Sequence, residues 1–258
     1  MEYKHILVDK RDGVVKITLN RPPLNILNIE MMNEMNTVFD GLQKETLKLL
    51  VIQGGAPPQV KAFCAGVDVS EHTDDKVNEM MTTFHKMFKL LNSVPAVSIA
   101  VVNGVALGGG CELATFCDIV IASEIAKFGQ PEIRVGVFAP VAAVILPHLI
   151  GRNRAIELLV TGNTIDGKEA ERIGLINHCF AVDGFQNKVD EFISRIASMS
   201  ASILQLTKRA VDKALYSSVV NSIEPIEELY LKELMNTEDV HEGLRAFLDK
   251  RIPKWSDR

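Results

Sequence analysis

The chain has 258 residues, of which 47% are hydrophobic and 24% are charged, and its formal net charge is −5. This composition is typical of a globular protein and excludes a largely disordered chain. The acidic balance also excludes a broad basic surface for nucleic acid, so any anionic ligand must be held by a local cluster of cations.

The first part of the chain predicts a β-hairpin, a helix and a buried strand. A turn sequence at residues 11–13 separates two apolar stretches, and residues 14–19 alternate between apolar and polar side chains. This alternation indicates a hairpin with one solvated face. After Asn28, a candidate N-cap, apolar residues recur at the three- and four-residue spacings of a helix. The segment "LKLLVIQGG" then predicts a buried strand that ends in glycines.

The middle of the chain alternates between predicted strands and helices. A helix over about 76–91 precedes the strand "AVSIAVVNG", and three glycines then lead into a short helix, "CELATFCD". Two strands, "DIVIAS" and "AKFGQ", follow. Such alternation is typical of an α/β layered core.

The last part of the chain is predicted to be helical, with helices near 187–200, 201–217, 221–235 and 238–250. We therefore divide the chain into an α/β core over residues 1–195 and a helical region over residues 196–258. A helical tail on an α/β core suggests a role in oligomerisation.

The N-terminal segment and the cysteines bear on location and metal content. The segment "MEYKHILVDK" is charged and lacks the apolar core of a secretory signal, and the apolar segments are too short or too broken to span a bilayer. We therefore expect a cytoplasmic protein without membrane contact. The four cysteines form no CxxC pair, so we predict neither a metal site nor a disulfide framework.

The segment "GGGCEL" allows three interpretations. The glycines could permit close packing where a strand turns into a helix, with Glu112 as an ordinary acid of the first helical turn. A dinucleotide phosphate loop requires GxGxxG, an order that the glycines of residues 104–110 do not supply. In the third interpretation, the missing Cβ atoms let backbone N–H groups approach a ligand oxygen that becomes negative during a reaction.

Two other segments favour the third interpretation. The small-residue turn in "KAFCAGVDV" follows a predicted strand and could offer a second N–H donor. In "FGQPEI", Glu132 follows a proline at the end of another strand. Two carboxylates on separate rigid elements around a pair of N–H donors are the components of acid/base chemistry on a polarised carbonyl.

In these segments the chain resembles the enoyl-CoA hydratase/isomerase, or crotonase, superfamily, and the resemblance covers nearly the whole chain. Each segment alone is weakly specific, whereas the ordered set is strongly specific. The segments are "LNRPPLNILN", "KAFCAGVDV", "VNGVALGGGCELATFCDIVIASEIAKFGQPEI", "LLVTGNTIDGKEAERIGLIN" and "EGLRAFLDKR".

The resemblance implies a spiral of ββα units with C-terminal helices that pack homotrimers, which often pair into hexamers. It also implies a coenzyme A thioester as substrate and no permanently bound cofactor. The family's oxyanion hole of two backbone N–H groups falls on Val67 and Gly109. Its two catalytic glutamates fall on Glu112 and Glu132, and we give Glu112 the activation of water and Glu132 the delivery of a proton.

The resemblance further implies contacts with coenzyme A. The turn at Ala65 and Val67 is expected to lie against the adenine part of the cofactor. Phe247 and Lys250 match a C-terminal motif that commonly reaches the ligand of a neighbouring subunit. Without the family match, Lys250 would be interpreted as a solvated lysine at a helix end.

The segment after Glu132 departs from the usual hydratase pattern. Where hydratases have glycines and polar residues, this chain has "VFAPVAAVILPHLIG", which predicts a stiffer and more apolar pocket. The segment resembles the cyclohexa-1,5-diene-1-carbonyl-CoA hydratases and therefore suggests a cyclic dienoyl thioester. The predicted residues of the acyl pocket are Phe138, Pro140, Val141 and Val144.

Two alternatives remain open at this point. An enoyl-CoA isomerase would move a double bond with one glutamate, and the presence of both Glu112 and Glu132 counts against it. A non-catalytic member of the superfamily could bind RNA or a protein partner, for which a basic surface cluster would be needed.

Overall fold

The computed structural model describes residues 3–55 and 62–256, without the side chains of residues 214–220 and 222. Lys61, the first residue of "KAFCAGVDV", lies outside the described residues. The predicted N-terminal hairpin is confirmed, with strands β1 (Ile6–Arg11) and β2 (Val14–Leu19) paired antiparallel.

The predicted first helix is also confirmed. Helix α1 (Ile29–Leu42) begins after Asn28, whose side-chain oxygen accepts a hydrogen bond of 3.0 Å from the N–H of Met31. This bond satisfies one of the free N–H groups at the helix start. The apolar face of α1 is buried in the main core, as the spacing of its residues predicts.

Three successive ββα units follow, each with a longer strand, a short strand and a helix. Their elements are β3 (Leu49–Gly54), β4 (Ala62–Cys64) and α2 (Val77–Ser93), then β5 (Val97–Val102), β6 (Val105–Leu107) and α3 (Gly109–Phe116), then β7 (Ile119–Ser123), β8 (Lys127–Gly129) and α4 (Pro140–Ile150). After them the chain forms α5 (Arg152–Thr161), β9 (Thr164–Asp166), α6 (Gly167–Arg172) and β10 (His178–Phe180).

The two strands of each unit belong to different sheets. The longer strands lie in a six-stranded sheet of order β1-β2-β3-β5-β7-β10, and the short strands lie in a four-stranded sheet of order β4-β6-β8-β9. Within each sheet the strands of successive units are parallel neighbours. The predicted α/β fold built from ββα units is therefore confirmed.

The large sheet is covered on both faces, which is why its central strands are apolar without alternation. One face packs into the main core with helices α1 to α4. The other face, which includes Leu49, Ile99 and Ile121, packs against Phe185 and Val189 of helix α7 (Phe185–Ala197). The predicted division at residue 195 falls inside α7 and stays a prediction.

The C-terminal region is helical, but its predicted helix boundaries are partly wrong. A single helix, α8 (Ala201–Lys232), replaces the two helices predicted over 201–217 and 221–235, and α9 (Glu238–Leu248) follows. The sequence "SSVVNS" at 217–222 contains residues of low helix propensity. None of them is a glycine or a proline, and such residues weaken a helix without ending it.

We predict that Gly110→Ala destabilises the protein by about 1–3 kcal/mol, because a Cβ atom at Gly110 would clash with the backbone of Cys64 at the end of β4. The matched control is Gly41→Ala in α1, where a Cβ atom meets nothing within 4 Å. There alanine should stabilise the helix by up to about 1 kcal/mol. Urea unfolding monitored by circular dichroism measures both changes, and equal effects of the two substitutions would contradict the packing described.

Candidate active site

The candidate site lies where three parallel strands of the small sheet end. Strand β6 pairs with β4 on one side and with β8 on the other, and Leu107 lies opposite Gly129. Because the carboxyl ends of parallel strands meet at one edge of a sheet, the segments that follow them become neighbours. These segments contain Val67, Gly109 with Glu112, and Glu132, so the fold brings together the four residues predicted for the oxyanion hole and the acid/base pair.

Each of the three consecutive glycines is required by a different neighbour. A Cβ atom at Gly108, whose φ of +51° itself favours glycine, would clash with the carboxylate of Glu132. At Gly109 it would lie 2.6 Å from a side-chain carbon of Val67. At Gly110 it would collide with the end of β4. The glycines therefore allow α3 to begin in direct contact with both flanking segments.

The N–H groups of Val67 and Gly109 are available to a ligand. Neither has a hydrogen-bond partner within the part of the chain that the structure describes. A parallel bridge to Leu27 fixes the position of Val67. The two backbone hydrogen bonds of this bridge are donated by the N–H groups of Leu27 and Asp68, so they do not use the N–H of Val67. Gly109 is the first residue of α3, where N–H groups are free and the helix dipole favours negative charge.

Glu112 is a buried carboxylate held by the start of helix α4. Its side chain is 2% exposed, and Oε1 accepts a hydrogen bond of 2.8 Å from the N–H of Ala142. Burial raises the pKa of Glu112 to about 7, although the N–H groups of Ala142 and Val141 act in the opposite direction. A carboxyl group with this pKa can exchange a proton at neutral pH.

Glu132 lies in the short 3₁₀ turn after β8 and faces Glu112. Its Oε2 atom is shielded from solvent and has no hydrogen-bond partner among the described residues. Burial and the negative charge of Glu112 hold the pKa of Glu132 well above its ordinary value. The two carboxyl groups therefore titrate as a coupled pair that retains protons above the ordinary pKa of a glutamate.

Both carboxyl groups and both N–H donors border one cavity of about 410 Å³. The volume lies in the range of small-molecule sites, and the lining is mainly apolar. Besides the residues already named, the lining residues are Ala65, Gly66, Val69, His72, Met80, Met81, Phe84, Pro131, Arg134, Val135, Val137, Phe138, Pro140, Tyr230, Leu244 and Phe247.

Two of the four residues predicted for the acyl wall border the cavity, and the acyl role of all four stays a prediction. Phe138 and Pro140 line the cavity, whereas Val141 and Val144 do not. Val141 is turned by about 100° from Pro140 around helix α4 and packs into the main core. Val144 lies one turn beyond Pro140, past the end of the cavity, and is buried. What the start of α4 contributes near the site is backbone N–H groups that donate to Glu112.

Three of the four predicted coenzyme A contacts line the cavity, and Lys250 does not. Ala65 and Val67 lie on one wall, and Phe247 of α9 lies on the cavity with about half of its side chain exposed. Lys250 is exposed after the end of α9 and does not line the cavity of its own chain. Its expected contact is with the ligand of a neighbouring subunit, which stays a prediction.

Several residues that border the cavity were not predicted from the sequence. Tyr230 comes from α8, is 1% exposed, and packs edge-to-face on Phe138 with 5.3 Å between ring centroids. His72 contributes an imidazole whose pKa is lowered by burial. Arg134 places a guanidinium two residues after Glu132. Neither Tyr230 nor His72 lies in a motif that signals a site.

The described residues contain neither a candidate metal cluster nor a candidate membrane span. No group of three or more His, Cys, Asp or Glu side chains is placed to hold a metal ion. Within the same residues, no helix has both the length and the apolar character needed to cross a membrane.

We predict that the contribution of Glu112 and Glu132 to the stability of the wild-type protein falls as pH rises from about 4.5 through 7 and above. The folded protein retains protons on Glu112 and Glu132 that the unfolded chain releases above a pKa of 4.5. Glu132→Gln keeps that side chain neutral at every pH. It should therefore recover about 1–3 kcal/mol of the loss at alkaline pH.

The measurement is the melting temperature of each variant between pH 5 and 9. The matched control is Glu79→Gln, which replaces an exposed glutamate of α2 and should follow the wild-type curve. A Glu132→Gln curve parallel to the wild type would contradict the raised pKa of Glu132.

Comparisons with known proteins identify relatives that match nearly the whole chain. The sequence profile of the enoyl-CoA hydratase/isomerase family matches residues 9–258. The chain is 39% identical to the Mycobacterium tuberculosis protein named "Probable enoyl-CoA hydratase echA8", over all of both chains. It is 36% identical to the cyclohexa-1,5-dienecarbonyl-CoA hydratase of Thauera aromatica, over 96% of this chain and 95% of that protein.

A solved structure agrees in fold. The crystal structure of an enoyl-CoA hydratase from Mycobacterium avium subsp. paratuberculosis superposes with a TM-score of 0.86 at 25% identity, covering 99% of this chain and 100% of that one. The predicted superfamily is thus confirmed by sequence and by fold. The chain belongs to the enoyl-CoA hydratase/isomerase, or crotonase, family of enzymes.

Proposed function

We propose that this protein is an acyl-CoA hydratase that adds water to an α,β-unsaturated coenzyme A thioester, or removes it in the reverse direction. The observation that carries this proposal is that buried Glu112 and half-buried Glu132 lie on one cavity with two N–H groups that have no partner among the described residues. Membership of the family supports the same activity.

The N–H groups of Val67 and Gly109 would act on the thioester oxygen. Conjugation makes the β-carbon of the unsaturated thioester electrophilic, and attack there moves negative charge to this oxygen. Two N–H donors fixed by the fold stabilise the resulting enolate, and each such donor lowers the barrier by roughly 3 kcal/mol in comparable sites.

The two carboxyl groups would exchange protons with water and substrate. Ionised Glu112 takes a proton from the water whose oxygen bonds to the β-carbon, and protonated Glu132 gives its proton to the α-carbon. Glu112 gains one proton and Glu132 loses one, so transfer of a proton from Glu112 to Glu132 returns both groups to their starting state. Both pKa values are raised, which suits a pair that exchanges protons near neutral pH.

The coenzyme A moiety would lie against Ala65, Val67 and Phe247. By analogy with the family motif, Lys250 would reach the ligand of a neighbouring subunit. Such a contact requires a homotrimer or a hexamer. Exposed apolar side chains at Ile203 and Leu206 of α8 give such an assembly a surface to bury. The thioester is a substrate, and the chemistry described requires no resident cofactor.

The acyl group could be linear or cyclic. Phe138 and Pro140 stiffen the cavity wall near the carboxyl groups, and the chain shares 36% identity with a cyclic dienoyl-CoA hydratase. We therefore propose cyclohexa-1,5-diene-1-carbonyl-CoA as a candidate substrate besides linear enoyl thioesters. The cytoplasmic location stays a prediction from the N-terminal sequence.

The two alternatives are less well supported. An isomerase that shuttles one proton with one glutamate leaves the second buried carboxyl group without a role, although burying it is costly. A non-catalytic binding protein gives no reason to hold two carboxyl groups with raised pKa values on one cavity.

We predict that the purified protein removes the conjugated-thioester absorbance of crotonyl-CoA, of cyclohexa-1,5-diene-1-carbonyl-CoA, or of both. Glu112→Gln and Glu132→Gln should each lower kcat by about 10²–10⁴-fold, because each removes one proton-transfer group while keeping its shape. Glu79→Gln serves as the exposed control and should retain wild-type activity.

Activity on the cyclic thioester alone would assign the dienoyl-CoA hydratase reaction, and turnover of crotonyl-CoA would assign a general enoyl-CoA hydratase. No hydration of either, with coenzyme A thioesters still bound, would overturn the proposal. A 3-enoyl-CoA converted to its 2-isomer without hydration would instead favour the isomerase.

A further inference from the structure

A second cavity of about 310 Å³ lies beside the one that holds the carboxyl groups. Its walls are mostly apolar, it is open to solvent on its outer side, and Trp255 of the C-terminal tail lines it. The lining residues are Ile133, Gly136, Val137, Phe138, Leu234, Asp239 and Trp255.

The tail is fixed over this second cavity by three hydrogen-bonded contacts. The N–H of Ser256 donates to Asp239 over 2.6 Å, and the N–H of Lys254 donates to Glu242 over 2.7 Å. Arg251 forms a bidentate pair with Glu242 at 2.6 and 2.8 Å. These contacts make Trp255 a defined part of the wall.

Val137 and Phe138 are the two residues that line both cavities in the described chain. Phe138 is half-buried, and its ring meets that of Tyr230 at an interplanar angle of 69°. Tyr230 is fully buried on the side of the first cavity. The Tyr230 contact holds the Phe138 ring between the two spaces.

The position of this ring relates it to the acyl end of the proposed site. Phe138 lies two residues before the start of α4, whose N–H groups hold Glu112. Phe138 and both glutamates line the same cavity, so an acyl group with its β-carbon at the two carboxyl groups has Phe138 in the wall of the space around it. Beyond the ring, Leu234, Val137 and Ile133 offer apolar surface that suits further methylene groups.

We propose that Phe138, held by Tyr230, is the partition that limits the size of the acyl group, and that a smaller residue there would open the second cavity to longer acyl chains. The inference rests on the proposed function. It adds a specificity-determining residue and a defined space into which longer substrates would extend.

The test compares Phe138→Ala with wild type on crotonyl-CoA and trans-2-decenoyl-CoA. The ratio of kcat/KM for the long substrate to that for the short one should rise at least about tenfold, since each added methylene that finds an apolar pocket contributes about 10-fold or more. Ile133→Ala is the matched control. It shortens a side chain in the wall of the second cavity but leaves the Phe138 ring in place, so the ratio should stay unchanged. Adding Leu234→Trp to Phe138→Ala should refill the space and lower the ratio again.

An unchanged ratio in Phe138→Ala, with crotonyl-CoA turnover retained, would overturn the inference. If the alanine variant does not fold, Phe138→Leu tests the same partition with a smaller loss of volume and should shift the ratio in the same direction. If wild-type protein hydrates neither thioester, the proposed function fails. Calorimetric binding of butyryl-CoA and decanoyl-CoA to wild type and Phe138→Ala then still tests the partition alone, and equal relative affinities would overturn it.

Discussion

The close approach of helix α3 to the segments after β4 and β8 is the constraint on which the rest of the site depends. Three consecutive glycines make it possible, because a Cβ atom at each position would strike Glu132, Val67 or Cys64 in turn. The approach places the free N–H of Gly109 near that of Val67 and brings Glu112 to face Glu132. The three glycines thus serve packing and the proposed oxyanion hole together, so the first and third interpretations of "GGGCEL" are not exclusive.

The electrostatics of the site follow from the same approach. Two carboxyl groups share a buried cavity, and ionising both would place like charges in a medium of low dielectric. The fold makes them unequal, because the start of α4 donates N–H groups to Glu112 while Oε2 of Glu132 has no partner among the described residues. The N–H donors favour the ionised form of Glu112, which is the form that the proposed hydration requires of the base.

The sequence predicts the parts of this site that are local and leaves out those that come from distant segments. Short sequence motifs contain the strand ends, the glycines and both glutamates. Glu112 and Glu132 could therefore be predicted from the sequence. Tyr230 could not, because it reaches the cavity from the middle of a helix with no motif around it. The N–H groups that hold Glu112 depend on backbone position and not on residue type, so "VFAPVAAV" predicted pocket walls at Val141 and Val144 where the structure has a helix start and core.

The pH dependence of kcat/KM for hydration tests the central claim most directly, since it reports the ionisation of the acid and the base in the free enzyme. We expect a bell-shaped profile whose acidic limb rises through about pH 7, as Glu112 ionises, and whose alkaline limb falls as Glu132 loses its proton. The two limbs belong to the pair as a unit, so Glu132→Gln should remove the alkaline limb from whatever activity remains. A profile that falls steadily from acidic pH, or one without either limb, would contradict a site built on one ionised and one protonated glutamate.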